Sequence, residues 1–173
     1  KKSQNNIAEP YFHYAFTLNE LKKYDESNKA YDKCLELIQN GNRNIGENSS
    51  VIWNNKGVNF SFVKKYDDAL KCFEHALFFD ETNEMVRIGL GNTAIKNKQF
   101  DVALTCFNRV LKNNEHNVIA LEQKGILLST YLERYDEALE CFEKNLDIDK
   151  NNINALFQKG SIFLKLERYD EAL

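Results

Sequence analysis

Between residues 50 and 83 the chain shows two amphipathic helical patterns, Val51–Val63 and Asp67–Phe79, parted by the polar pair Lys64-Lys65 and closed by Asp80-Glu81-Thr82-Asn83. This is the pattern of a helix hairpin. Its landmarks return downstream: Gly57, Gly91, Gly125 and Gly160 are 34, 34 and 35 positions apart, and Ala69, Ala103, Ala138 and Ala172 are 34, 35 and 34 apart. One such hairpin cannot bury its apolar face alone, so the core is expected to run between stacked neighbours. On this period residues 1–7 read as the tail of a preceding turn, and 8–49 as a first unit with an insertion near 39–49. Full units follow at 50–83, 84–117 and 118–152, the last with one extra residue between Gly125 and Ala138. The final stretch, 153–173, stops after the first turn of its second helix. The absent helix would cover the apolar side of Leu156, Phe163 and Leu166. That end is therefore expected to contact another molecule or itself, and the chain to be part of a longer array.

Trp53, Gly57, Phe60, Tyr66, Ala69, Phe73 and Ala76 supply, in order, an aromatic, a glycine, two aromatics, an alanine, an aromatic and an alanine. In this spelling the chain resembles the tetratricopeptide repeat family. The resemblance implies an all-α fold, a right-handed α-solenoid (superhelix) of stacked antiparallel helix hairpins with about 4.5 units. The small residues at the glycine and alanine positions let paired helices approach, and the first unit keeps them small with Ala15, Ser27 and Cys34. Tyr31, Phe73, Phe107 and Phe142 are expected on the buried face. Asp25, Asp67, Asp101, Asp136 and Asp170 each follow a turn aromatic, where a carboxylate caps free N–H groups and suits the helix dipole. Asn83, Asn117, Asn151 and Asn152 are expected to support the junctions between units through their tolerance of left-handed backbone. The insertion predicts a longer second helix or an exposed loop, and the extra residue of 118–152 predicts a longer turn or a π-bulge.

Composition narrows the function. A formal net charge of -3 and a pI near 5.7, with lysines scattered among glutamates, exclude the basic stripe of a nucleic-acid surface. Four cysteines equal the ligand count of a tetrahedral metal site, but Cys72, Cys106 and Cys141 recur at equivalent places about one repeat apart. A disulfide needs Cα atoms within roughly 7 Å, so buried thiols in a reducing compartment are the expectation. No apolar run approaches the roughly 18 residues of a membrane span and no signal-peptide pattern is present, which favours the cytoplasm. His13, His75 and His116 lie in separate units without the i, i+4 spacing of a helical zinc pair. Gly89-Leu90-Gly91 follows no strand pattern, so it does not read as a phosphate loop. No catalytic residue, metal or cofactor is expected, and the chain reads as a non-enzyme.

The resemblance places partner binding on a concave groove lined by first helices. The residues expected there are Phe12, Phe16, Asn54, Val58, Phe62, Met85, Ile88, Asn92, Ile95, Ile119, Glu122, Ile126 and Phe157. This set is apolar for a surface, which fits a partner presenting an apolar or amphipathic peptide or helix. A lysine–asparagine carboxylate clamp of the kind that holds chaperone tails is absent, since its places hold residues such as Phe12, Phe16, Met85 and Gly89. The function expected is that of a protein-binding adaptor. Two alternatives are a homo-oligomeric scaffold joined through exposed repeat ends or the groove, and the regulatory or substrate-recruiting region of a larger enzyme.

Overall fold

The computed structural model describes residues 8–40, 46–168 and 170. The tail read at 1–7, residues 41–45 of the insertion, Tyr169 and residues 171–173 lie outside the described part. Among the described residues there are nine α-helices: α1 (Ala8–Glu20), α2 (Tyr24–Asn40), α3 (Gly46–Phe62), α4 (Tyr66–Phe79), α5 (Glu84–Lys96), α6 (Phe100–Asn113), α7 (Val118–Thr130), α8 (Tyr135–Ile148) and α9 (Ile153–Lys165). The chain is all-α, and its helices alternate in the order the period predicts. They fall into two compact units, Lys1–Thr93 and Ala94–Leu173.

In the N-terminal unit α1 packs on α2, α3 on α4, and α2 against α3. Tyr31, Cys34, Leu35, Leu18, Ala15 and Ile52 form a buried core. Ser27, standing where other units have alanine, is fully buried and donates its hydroxyl proton to the Ala15 carbonyl over 2.8 Å. A small residue is thus kept, and its one polar group is satisfied. The ring of Phe73 explains two glycines. A Cβ added to Gly57 would lie 3.0 Å from that ring, and one added to Gly89 would lie 3.1 Å from it. What the repeat glycine admits is therefore an aromatic ring from the second helix.

In the C-terminal unit α7 packs on α8, α6 against α7, and α8 against α9. Its core gathers Leu128, Ala138, Phe142, Ala155, Ile162 and Phe163. Phe142 again fills the space left by a glycine, here Gly125. The extra residue of this unit lies in the turn: α7 has the same 13 residues as α5, and α8 begins only after Tyr131–Arg134.

Each first helix with described turn residues ends on a non-glycine residue in the left-handed region, Lys22, Lys64, Lys98, Glu133 or Glu167, with φ between 54° and 62°. At Lys64 the backbone bonds Lys64 N–H to Ser61 O (3.2 Å) and Lys65 N–H to Phe60 O (2.9 Å) close a Schellman motif. The junction asparagines act differently from expectation, for none of them has positive φ. Instead Asn83, Asn117 and Asn152 cap the first helices, their Oδ1 atoms accepting from Val86, Ala120 and Ala155 N–H at 3.1, 2.9 and 3.0 Å. The aspartates are likewise not the capping residues. Lys65, Gln99 and Arg134 occupy the N-cap positions of α4, α6 and α8 without a side-chain cap bond, and Asp67, Asp101 and Asp136 sit inside the first turn. There they serve the helix dipole.

The insertion lengthens helices on both sides. α2 has 17 residues against 14 in α4, and α3 has 17 against 13 in α5.

Candidate partner-binding surface

Of the residues expected to line a binding surface, the N-terminal unit carries Phe12, Phe16, Asn54, Val58, Phe62, Met85, Ile88 and Asn92. Phe16, Phe62 and Met85 are exposed. Phe62, 62 % exposed, stacks flat on Tyr24 with ring centroids 5.2 Å apart, so an open aromatic is held in one orientation at little further entropic cost on binding. Tyr24 opens α2 while Phe62 closes α3, and no local sequence pattern pairs them. Asn54, Val58 and Asn92 are half-buried. The Asn92 side-chain oxygen is enclosed with no hydrogen-bond partner.

Ile88 must be removed from the surface, because it is only 3 % exposed. Val86, Ile88, Leu90, Gly91, Thr93 and Ala94 are all buried and spread round more than half of the α5 circumference at 3.6 residues per turn. The helix is enclosed on more sides than its place as a groove-lining element implied. Phe12 is intermediate in both senses. It packs on the core cluster, 5.9 Å from the Tyr31 ring, and also lines a cavity of about 400 Å³ with Cys34, Ile38, Val51 and Ile52. Glu9 and His13, 3.8 Å apart, lie at this cavity too. Its size and apolar lining suit the insertion of a large aliphatic or aromatic side chain.

Beside this surface, α3 turns polar groups onto α2. Lys56 is buried, pairs with the Asp32 carboxylate and lies 4.5 Å from the Trp53 ring centroid. Asn55 donates to the Tyr31 hydroxyl (3.0 Å), and Asn59 donates to Ser27 Oγ and Asn28 Oδ1 (3.0 Å each). Burial raises the Tyr31 pKa, which the Asn55 bond partly offsets. The network is incomplete: Asn28 Nδ2 and Asn59 Oδ1 stay buried without a hydrogen-bond partner.

The C-terminal unit carries Ile95, Ile119, Glu122, Ile126 and Phe157. Ile119 is exposed and Phe157 is 70 % exposed. Ile95 and Glu122 are half-buried, and Ile126 packs on the core of this unit. Phe157 therefore offers the largest free apolar side chain of the five.

The other candidate chemistries stay apart. Cys34, Cys72, Cys106 and Cys141 are buried and form no disulfide, and burial pushes the Cys72 thiol up to about 11. His75 stacks on Trp53 at 4.6 Å, while His116 lies 3.7 Å from Glu115 on the surface. Among the described residues no three His, Cys, Asp or Glu side chains converge as metal ligands, and no helix is long and apolar enough to cross a membrane.

The tetratricopeptide repeat family model matches residues 8–40 and 120–152. Among solved structures, the chain is similar to "YrrB: a TPR protein with an unusual peptide-binding site", at 26 % identity and a TM-score of 0.72, covering 98 % of this chain and 83 % of that one. It is similar to a MamA protein at 19 % identity and a TM-score of 0.80, covering 95 % and 85 %. MamA from Desulfovibrio magneticus RS-1 matches at 16 % identity and a TM-score of 0.80, covering 99 % and 91 %. The last two likenesses concern the fold alone. No curated protein is significantly similar in sequence.

Proposed function

We propose that this chain, a tetratricopeptide-repeat protein, is a non-catalytic interaction module that binds an apolar or amphipathic peptide or helix on the exposed side chains of its first helices. The observation that carries the reading is the set of large apolar residues left open there, Phe16, Phe62 and Met85 in one unit and Ile119 and Phe157 in the other. Leaving such groups in water is unfavourable by about 25 cal/mol for each Å² of apolar area, and a partner that covers them recovers that free energy. The peptide-binding site named for YrrB supports the same class of function. Phe12, Val58, Asn54, Asn92, Ile95, Glu122 and Ile126 contribute as half-buried walls, and the cavity beside Phe12 accepts the deepest anchor. A cytoplasmic setting fits four buried thiols that form no disulfide.

The test is selection of displayed peptides on the intact protein, followed by competition binding. Selected peptides should carry two or more large apolar residues at helical spacing, and the Phe16→Ser, Phe62→Ser and Met85→Ser variants should each bind them more weakly with helicity unchanged. Peptides enriched only in charge, or affinity that collapses between low and high salt, would count against it.

A further inference from the structure

The single tryptophan of the chain has a defined seat in the N-terminal unit. The Trp53 ring stacks on His75 with centroids 4.6 Å apart, the Lys56 Nζ lies 4.5 Å from its centroid, and the ring packs against the core that holds Leu35. The glycine register Gly57 to Gly125 and the phenylalanine register Phe73 to Phe142 set Trp53, Lys56, Cys72 and His75 against Leu121, Lys124, Cys141 and Lys144. Tyr31 and Phe107 likewise set Leu35 against Leu111. In the C-terminal unit a smaller leucine stands in the place of the tryptophan. The residues equivalent to the surroundings of the indole, Leu111, Lys124, Cys141 and Lys144, line a cavity of about 220 Å³ beside Leu121.

Size and charge both select the occupant. A cavity of roughly 150 Å³ holds a benzene ring, so this one has room for a second fused ring and little more. Leu121, 2 % exposed, and buried Cys141 make an inner wall, while exposed Lys144 and Glu140 stand at the mouth. Burial raises the Cys141 pKa and the ammonium groups of Lys124 and Lys144 act against it, which places both close to that wall. The two lysines are matched in the lining by Glu115 and Glu140, and the third carboxylate there, Glu137, is held by Arg134 over 2.6 and 2.7 Å. The balance disfavours a free ion. It suits a neutral aromatic ring whose face attracts an ammonium group and whose edge N–H donates to a carboxylate.

We infer that the cavity among α6, α7 and α8 is a binding site for an indole ring, presented as the tryptophan side chain of a partner peptide. The ring takes the seat that Trp53 takes in the other unit, with Lys124 and Lys144 in the roles of Lys56 and His75. At 3.6 residues per turn Leu121 and Lys124 lie on the far side of α7 from Ile119, Glu122 and Ile126. The site is therefore separate from the first-helix surface proposed above and stands or falls independently of it.

The probe is N-acetyl-tryptophanamide, whose blocked ends present the side chain as a peptide does, titrated into the intact methyl-labelled protein and followed by NMR. The Leu111 and Leu121 methyl signals should shift by ring current and saturate in about the millimolar range, as suits one small ligand. N-acetyl-leucinamide should leave them in place. Lys124→Ala and Lys144→Ala should each weaken the titration by about two- to fivefold, the worth of one cation–π contact. Leu121→Trp gives a second, independent reading. Enlarging a buried leucine ordinarily destabilises a protein, but here the new ring has a seat, so the Tm should hold or rise and the probe should no longer move Leu111. Unmoved methyl signals, equal shifts from the leucine amide, or indifference to both lysine substitutions would overturn the inference. So would a Leu121→Trp protein with a sharply lowered Tm, or binding of free indole without binding of the blocked amino acid.

Discussion

Gly125→Ala tests the packing that builds each hairpin. A methyl group at this position would lie 2.6, 2.8 and 3.0 Å from Cζ, Cε1 and Cε2 of Phe142, inside the ~3.5–4.0 Å of an unstrained carbon contact. Phe142 is fully buried, so the ring has no solvent to move into. Overpacking of this kind costs about 1–3 kcal/mol. Exchanging a mid-helix glycine for alanine returns about 1 kcal/mol of helix propensity. The single variant should therefore be destabilised by about 0–2 kcal/mol, the difference of those two terms. A double-mutant cycle separates them. Phe142→Ala alone should cost about 3–5 kcal/mol. With the ring gone, Gly125→Ala meets no clash and should stabilise by about 1 kcal/mol. The coupling, read from urea unfolding followed by circular dichroism, is then about 1–3 kcal/mol. Equal effects of Gly125→Ala in both backgrounds, within about 0.5 kcal/mol, would refute the claim that the glycine exists to admit the ring.

Other substitutions and a change of pH have equally defined outcomes. Lys64→Gly, at φ 62°, should stabilise the fold by about 1 kcal/mol by relieving a left-handed side-chain residue, while Lys64→Ala should not, as urea midpoints will show. Asn59→Ala strips partners from buried Ser27 and Asn28 and should cost about 1–3 kcal/mol in the same assay. Hydrogen bonds from Thr82 and then Asn83 hold the Asp80 carboxyl below its usual value near 3.8, so its contribution is present above that value and lost as pH falls through the lower, folded one. Asp80→Ala should thus be penalised at neutral pH, and the penalty should fade on acidification through that range. The four cysteines should resist a thiol-specific reagent in the folded protein and react together on unfolding, Cys72 most clearly because burial holds its pKa near 11.

Much of the architecture was legible because it is periodic. The spacing of Gly57, Gly91, Gly125 and Gly160 marks the helix pairs, and the extra residue before Ala138 announces a longer turn, though only the structure separates that from a π-bulge. The capping chemistry is not legible in the sequence, because aspartate suits both a cap and a first turn, and asparagine both a cap and a left-handed residue; backbone angles decide between them. Phe16, Phe62, Met85, Ile119 and Phe157 are exposed, whereas Ile88 is buried, because burial of α5 on several sides depends on neighbours that a one-helix pattern does not contain. The Tyr24–Phe62 stack and the cavity among Phe12, Cys34, Ile38 and Ile52 join side chains far apart in sequence, and local periodicity carries no trace of them.

The most direct test of the binding role is calorimetric titration of one selected peptide into the wild-type protein and into Phe62→Ser, both confirmed folded. Loss of affinity of about tenfold or more on removing this one exposed ring, with little change when salt is raised, is the predicted result. Equal affinity for both proteins would contradict it.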